Sequence, residues 1–576
     1  MSATLSFSGA RWRLLAADPA GASAIAQALG IHPVLAAVLA ARGYGDPVRA
    51  RAFLRPGLSD LLDPWSMRGM EAAVARIRAA VARSERVRII SDYDVDGTTS
   101  ALTLRATLAA LGLSRVDHRI PSRFGTGYGL SVDAVEEAAA SGVQLLLAAD
   151  LGVSDHAAAN RAQQLGVDLL ICDHHLVGEE GVPAAAHAVL CPGQPGCAYP
   201  NRALAACGVA FKLAEALLAE DPRREVLLRS LLKVVALGTV ADVVDLGAAE
   251  NRAIVALGLE GLSGGRHAPG LQALLEIAGC AGRPVSSTDL AFRLGPRINA
   301  AGRLADASLA LELLLSREPG ETLALAQKLE NLNRARQRLQ EQLVERAMAQ
   351  ALPHGPGSAP RCAPFPVFAG AEEQGWHRGV IGIVAGKLRE ALGRPVAVAA
   401  VADGVATGSV RSLAGVHALH ALNSASGLLS RFGGHAAAAG FSLPAERIPA
   451  LERALSRYLE EAVPPERRVP EHEADLVVSA RELDGEAARA LEALEPTGRG
   501  NPRARLLVPG VQIPRVRRVR QHLFFDLDRV GAVWWGAASQ ASELYAGPVD
   551  LLGSLGPDRE GGLGSPLFTV SDVRRA

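Results

Sequence analysis

Asp92, Asp94 and Asp96 stand at alternate positions in Ser91-Asp92-Tyr93-Asp94-Val95-Asp96-Gly97, directly behind Val87-Arg88-Ile89-Ile90. Three unpaired carboxylates at one strand end repel one another, so a fold that gathers them needs cations among them. The pattern recurs. Val143-Gln144-Leu145-Leu146-Leu147-Ala148-Ala149 ends in Asp150, Leu169-Leu170-Ile171-Cys172 ends in Asp173-His174-His175, and the apolar run 234–241 ends in Asp242. Each run reads as a buried strand. Helical segments are expected at 100–111 and 132–140, with further helical mass at 203–219 and 224–232. Strands alternating with helices argue for an α/β domain whose parallel sheet is covered on both faces. In such sheets ligands bind outside the carboxyl ends of the strands, which is where all four acidic ends would lie.

Taken alone, Asp-His-His is a weak signal, because an Asp that orients a His is common in ordinary folds. Four acidic ends on one sheet are harder to assign to structure. Their donors are oxygen and imidazole without thiolate, which favours Mg²⁺ or Mn²⁺ and leaves zinc open.

Asp92-Tyr93-Asp94-Val95-Asp96-Gly97, Asp150, Asp173-His174-His175 and Gly238-Thr239-Val240-Ala241-Asp242 together resemble, in order and spacing, the motifs of the DHH phosphoesterases. Three more stretches are similar to that family's branch of single-strand-specific 5′→3′ DNA exonucleases: Leu294-Gly295-Pro296-Arg297-Ile298-Asn299-Ala300-Ala301-Gly302-Arg303, the run Trp376-His377-Arg378-Gly379-Val380-Ile381-Gly382-Ile383-Val384-Ala385, and Phe432-Gly433-Gly434-His435-Ala436-Ala437-Ala438-Ala439-Gly440. The resemblance spans most of the chain. It implies two ions, Mn²⁺ or Mg²⁺, bridged by Asp150, one held by Asp94 and the other by Asp96, His174 and Asp242. It further implies that His175 faces the scissile phosphate, that Asp92 and Arg303 join the catalytic set, and that water is the nucleophile. Substrate contacts are expected at Arg123, Arg297, Asn299, Ser409, Arg411, Ser412 and His435, with Arg123, Ser409 and Arg411 on a 5′-terminal phosphate. This sequence departs from the family pattern at Ile90, where many relatives carry a ligand His, at Leu151, where Asn or Cys is usual, and at Ser91, where Gly is usual.

The activity so implied degrades single-stranded DNA to 5′-mononucleotides in repair and recombination. The expected partners are single-stranded DNA, a single-strand-binding protein and a helicase, and the chain is expected to be a monomer. Two other readings stay open: a DHH phosphodiesterase of short oligonucleotides or cyclic dinucleotides, and a DNA-binding scaffold without catalysis.

Length and composition set the frame for these readings. A chain of 576 residues allows three or four domains, and 49% hydrophobic against 21% charged residues describes a globular protein. Sixty basic residues balance sixty acidic ones, so no global positive field announces a polyanion partner. Local clustering supplies one instead. Arg503, Arg505, Arg515, Arg517, Arg518 and Arg520 occur in 501–520 without an intervening acid, although a solvated surface strand would carry the same charges. The six cysteines lack zinc-site spacing and read as reduced, buried thiols. Neither a signal peptide nor a membrane span is read in the sequence, and a cytoplasmic protein is expected.

The expected organisation is an N-terminal helical lead-in at 1–75, a DHH catalytic domain at 76–320 and a connecting helix at 321–352. A second α/β, DHH-associated domain follows at 353–465, and an OB-type β-barrel for nucleic acid at 466–576. The linker 353–360 is dense in Pro and Gly. The barrel rests on short strands expected at 476–478, 511–513, 523–527 and 533–535.

Overall fold

The computed structural model describes residues 5–122, 129–351, 362–545, 547–557 and 565–576. It divides into two compact units. One comprises Arg55–Ala335 with Glu495–Pro502, the other Met1–Leu54, Arg336–Leu494 and Arg503–Ala576.

The first unit is built on a five-stranded sheet whose neighbouring strands all run parallel. Its order is Val116–Arg119, Val87–Ser91, Leu145–Ala149, Asp168–Cys172, Ala188–Leu190. Chain order reverses at Val87–Ser91, which pairs with the next strand on one side and with Leu145–Ala149 on the other. A crevice opens at such a switch point, beyond the carboxyl ends of the two strands. Alternate residues feed two cores. Val87, Ile89, Leu145, Leu147 and Leu170 pack with helices Met70–Arg83, Val95–Ala110, Ala206–Leu217 and Arg224–Ala241, while Ile90, Leu146, Ala148, Leu169 and Ile171 pack with Val132–Ala140 and His156–Gln164. The continuous apolar runs follow from this burial on both faces.

Two local expectations need correction. Residues 234–241 are not a strand. They form the C-terminal half of the 18-residue helix Arg224–Ala241, and Asp242 is its C-cap. An eight-residue apolar run cannot by itself be told from a buried helix. The helix expected at 100–111 begins earlier, at Val95, because Asp94 caps it by accepting from Gly97 N at 3.1 Å. Gly97 is required there, since a Cβ would sit 2.3 Å from the Asp92 carbonyl oxygen.

In the second unit a five-stranded sheet runs Arg431–Gly434, Ala438–Pro444, Val405–Arg411, Val396–Ala402, Val367–Ala371, antiparallel except for the last pair. A separate seven-stranded sheet runs Leu476–Val477, Leu506–Val511, Val549–Pro557, Pro566–Arg575, Val530–Trp534, His522–Leu527, Arg517–Val519. Its core is shared with the N-terminal helices: Ile25, Leu35, Leu39 and Phe53 pack in one cluster with Leu506, Phe525, Leu551 and Phe568. A parallel pairing of Arg11–Leu14 with Glu471–Ala474 adds a backbone tie between the two segments. The 33-residue helix Pro319–Ala351 contributes residues to both units. Among the described residues no helix is long and apolar enough to cross a membrane.

Candidate metal centre

The sheet carries its hydrogen bonding one residue past each strand end. Asp92 N donates to Ala149 O at 3.2 Å, Asp150 N to Cys172 O at 2.9 Å and Asp173 N to Leu190 O at 3.0 Å. The three aspartates therefore leave their strands side by side. Asp150 adopts a left-handed backbone, φ 63°, which turns the chain directly after its strand.

Asp96 and Asp242 arrive from helices. Asp96 is fully buried, and its carboxylate accepts from Ala206 N at 2.7 Å and Cys207 N at 2.8 Å, so it also caps the helix Ala206–Leu217. Gly238 lets the Asp242 helix pass close by, since a Cβ there would lie 2.2 Å from Thr99 Oγ1 and 3.2 Å from Asp96 Oδ1. His174 stands between the two elements and the sheet. Its Nε2 lies 3.5 Å from Asp150 Oδ1 and 3.8 Å from Asp96 Oδ2, and its Nδ1 lies 3.6 Å from Asp242 Oδ2.

Three groups of side chains bring donor atoms close enough to hold an ion: Asp92, Asp94 and Asp150; Asp150, His174 and His175; Asp96, His174 and Asp242. Asp150 joins the first two. The electrostatics fit a cation. Burial, then the facing charges of Asp96, Asp94 and Asp92, drive the Asp150 carboxyl well above the usual range, and its Oδ1 is buried without a hydrogen-bond partner among the described residues. Burial, Asp96 and Asp94 likewise push Asp242 up to about 8. Hard oxygen donors with imidazole suit Mn²⁺ or Mg²⁺. Two ions held here would supply a Lewis-acid clamp on the attacking and leaving oxygens of a phosphodiester.

Asp173 has a different task. One of its oxygens accepts from His174 N at 2.7 Å, His175 N at 3.1 Å and His175 Nδ1 at 2.7 Å, and the other from Val153 N at 3.0 Å. It fixes the loop and commits His175 Nδ1, leaving Nε2 for other work. Burial opposes the His175 cation, but the bond and charge of Asp173, with Asp242 and Asp92, raise its pKa to about 9. The surrounding carboxylates thus favour a proton on His175. Asp173 thus orients the histidine loop, a part that counting ligands in the motif leaves out.

The remaining expected residues fall in two places. In the first unit, the helix Gly295–Leu304 carries Arg297, Asn299 and Arg303. It lies against the carboxylate loop, since a Cβ on Gly302 would be 2.8 Å from Tyr93 O. Arg297 is engaged elsewhere, by Glu330 at 2.8 Å and by Arg293 O at 2.6 Å. In the second unit, Ser409 and Arg411 share a face of the central strand, with Arg411 Nη1 donating to Ser409 Oγ at 2.7 Å. A Cβ on Gly382, in the first turn of helix Ile381–Leu392, would lie 3.0 Å from Arg411 Nη2 and 3.4 Å from Ser409 Oγ. A guanidinium, a hydroxyl and a helix N-terminus meet there, which is the chemistry of an anion site. Ser412 is buried with Oγ lacking a hydrogen-bond partner among the described residues, and His435 is exposed, its Nδ1 accepting from Ala437 N at 3.3 Å. Arg123 lies outside the described residues.

These sites sit within matches to three family models: the DHH family N-terminal domain at residues 86–239, the DHHA1 domain at 365–461 and the RecJ OB domain at 474–572. The fold and site define a DHH phosphoesterase, a hydrolase acting on phosphodiester bonds. The chain is 36% identical to the single-stranded-DNA-specific exonuclease RecJ of Bacillus subtilis over 88% of its own length and 63% of that protein's. It is 36% identical to the RecJ of Escherichia coli, over 82% of each chain. The crystal structure of RecJ from Thermus thermophilus in complex with Mn²⁺ matches 98% of this chain and 80% of that one, at 32% identity and a TM-score of 0.82; the same protein with Mg²⁺ matches at 0.76. The chain belongs to the RecJ family of single-stranded-DNA-specific exonucleases.

Proposed function

We infer that this chain is a metal-dependent exonuclease that removes nucleotides from single-stranded DNA in the 5′→3′ direction, with Mn²⁺ or Mg²⁺ as cofactor. The observation that carries the reading is Asp150: a buried carboxylate shared by two ligand groups, with one oxygen that makes no hydrogen bond among the described residues. Asp92, Asp94 and Asp150 would hold one ion, and Asp150, Asp96, His174 and Asp242 the other. His175, oriented by Asp173 through Nδ1, would face a phosphate oxygen through Nε2. In the second unit Ser409 and Arg411 would take the 5′-terminal phosphate, giving the enzyme an end from which to count. Ser412, His435, Asn299, Arg297 and Arg303 are proposed as further substrate or catalytic contacts, Arg297 only after leaving Glu330. The reading places the chain in the cytoplasm as a monomer, on strands exposed by a helicase and covered by a single-strand-binding protein.

The test is substrate choice. With Mn²⁺, a long single strand should be degraded and the matching duplex spared, with no turnover in a chelator. Turnover of a dinucleotide equal to that of the long strand would instead support a short-oligonucleotide phosphodiesterase, and tight binding without cleavage a scaffold.

A further inference from the structure

The segment Glu495–Pro502 follows the helix Gly485–Leu491 and precedes the strand Leu506–Val511, yet it packs as part of the catalytic unit. It is a locked turn. Arg252, 1% exposed, donates to the carbonyls of Glu495 at 2.8 Å and Pro496 at 3.1 Å. Ser287 Oγ donates to Glu495 Oε2 at 2.6 Å, and buried Asn501 donates through Nδ2 to Pro496 O at 2.8 Å. Gly498 and Asn501 exchange both backbone hydrogen bonds across the turn, at 2.8 and 3.2 Å.

The tip of this turn grips the loop that leaves the metal centre. Leu246 N, four residues beyond Asp242, donates to Arg499 O at 2.7 Å. Gly500, with φ 76°, lies so close to Asp245 that a Cβ would fall 1.7 Å from its Oδ1. The backbone at 499 is therefore fixed, whereas the Arg499 side chain is exposed and has no hydrogen bond or ion pair among the described residues. Its charge is near enough to attract the Asp242 carboxylate, with His175 the other cation acting there. An exposed guanidinium carried on a fixed backbone turn beside the loop that follows Asp242, and without a hydrogen bond or ion pair among the described residues, is placed for an incoming anion.

We propose that Arg499 binds a backbone phosphate of the single strand beside the metal centre, so that the turn 495–502 is a substrate-binding arm of the catalytic unit. This rests on the reading of the chain as an exonuclease on single-stranded DNA. The arm adds one cation where the strand's charge must approach a cluster of carboxylates. A single phosphate contact contributes about 0.7 to the slope of log affinity against log salt for a single strand.

The test compares wild type with Arg499→Ala and Arg499→Lys in two assays. One is fluorescence anisotropy with a labelled single strand in a chelator, over a range of salt. The other is cleavage with Mn²⁺. Arg499→Ala should bind about tenfold more weakly with a salt slope lower by about 0.7, and should raise KM with kcat little changed. Arg499→Lys should restore the slope. Mn²⁺ affinity without DNA, measured by calorimetry, and the melting temperature should match wild type. Unchanged binding and slope would overturn the proposal. So would a changed Mn²⁺ affinity with an unchanged slope, which would make Arg499 a partner of Asp242 alone. Failure of wild type to cleave the strand would defeat the exonuclease reading, and the anisotropy would still decide whether Arg499 meets a phosphate.

Discussion

The Asp173 carboxylate accepts from His175 Nδ1 at 2.7 Å, and the same oxygen accepts the backbone N–H groups of both His174 and His175. One buried side chain thus holds the backbone of both histidines and the ring of His175. Asp173→Asn replaces an oxygen that takes all three bonds with a neutral amide. Charge-assisted bonds of this kind contribute roughly 1.5–3 kcal/mol each, so the variant should lose about 2–4 kcal/mol in urea denaturation. Its kcat should fall together with its stability. A fully stable but inactive variant would show that Asp173 acts on substrate rather than through His175.

Asp150→Asn should behave in the opposite way. Asn tolerates the left-handed backbone at position 150, and removing the charge relieves repulsion from Asp96, Asp94 and Asp92. Without metal, the variant should melt no lower than wild type. With Mn²⁺ its cleavage should drop by about 10³ or more, equivalent to roughly 4 kcal/mol of transition-state stabilisation. Activity within about tenfold of wild type would remove Asp150 from the centre of the account.

Arg411→Ala tests how the enzyme finds an end. The variant should lose the advantage of 5′-phosphorylated over 5′-hydroxyl strands, with kcat/KM on the phosphorylated strand reduced about ten- to hundredfold, as for the loss of one charge-assisted contact. Calorimetric Mn²⁺ affinity should not change. A variant that still favours the 5′-phosphate as strongly as wild type would place the end-recognising pocket elsewhere.

Away from the metal centre, Asp289 provides a pH-dependent clasp. Burial raises its pKa, but bonds from Arg283 and from Ser286 outweigh that and lower it to about 2. A carboxyl depressed in the folded state binds fewer protons there than when unfolded. Its contribution is therefore present above pH 4 and is lost as pH falls toward 2. Asp289→Asn should be less stable than wild type at pH 7, and the deficit should shrink steadily between pH 4 and 3 in urea titrations. A deficit independent of pH would show that shape, not charge, holds Arg283.

Much of the metal centre is legible in the sequence because its ligands follow local signals. Apolar runs ending in Asp92, Asp150 and Asp173-His174-His175 become adjacent parallel strands, and the switch in strand order places their ends together. Asp242 keeps its place in the site although its run is a helix, because what matters is where the C-cap points and not which element carries it. The anion cradle is only half legible. Ser409 and Arg411 share a face through the period-two alternation of a strand, whereas the contribution of Gly382 depends on packing between a helix and a strand.

What escapes the sequence is what distant segments do to each other. Leu39 and Phe568 share a core that no local pattern announces. The long strands Val549–Pro557 and Pro566–Arg575 contain Gly553, Gly556, Pro557 and Pro566, which read as breakers until the sheet pairs them. Arg499 looks like one more charge before a basic stretch, and only the packing of 495–502 against Leu246 and Asp245 brings its backbone to the loop that follows Asp242.

The central claim, a metal-dependent exonuclease that enters from the 5′ end, is tested most directly by one time course. Purified protein with Mn²⁺ is given single strands labelled at the 5′ end or, separately, at the 3′ end. The account predicts that the 5′ label appears at once as a mononucleotide while the 3′ label stays on progressively shorter strands. Immediate release of a 3′-labelled mononucleotide, or of internal fragments from both substrates, would contradict it.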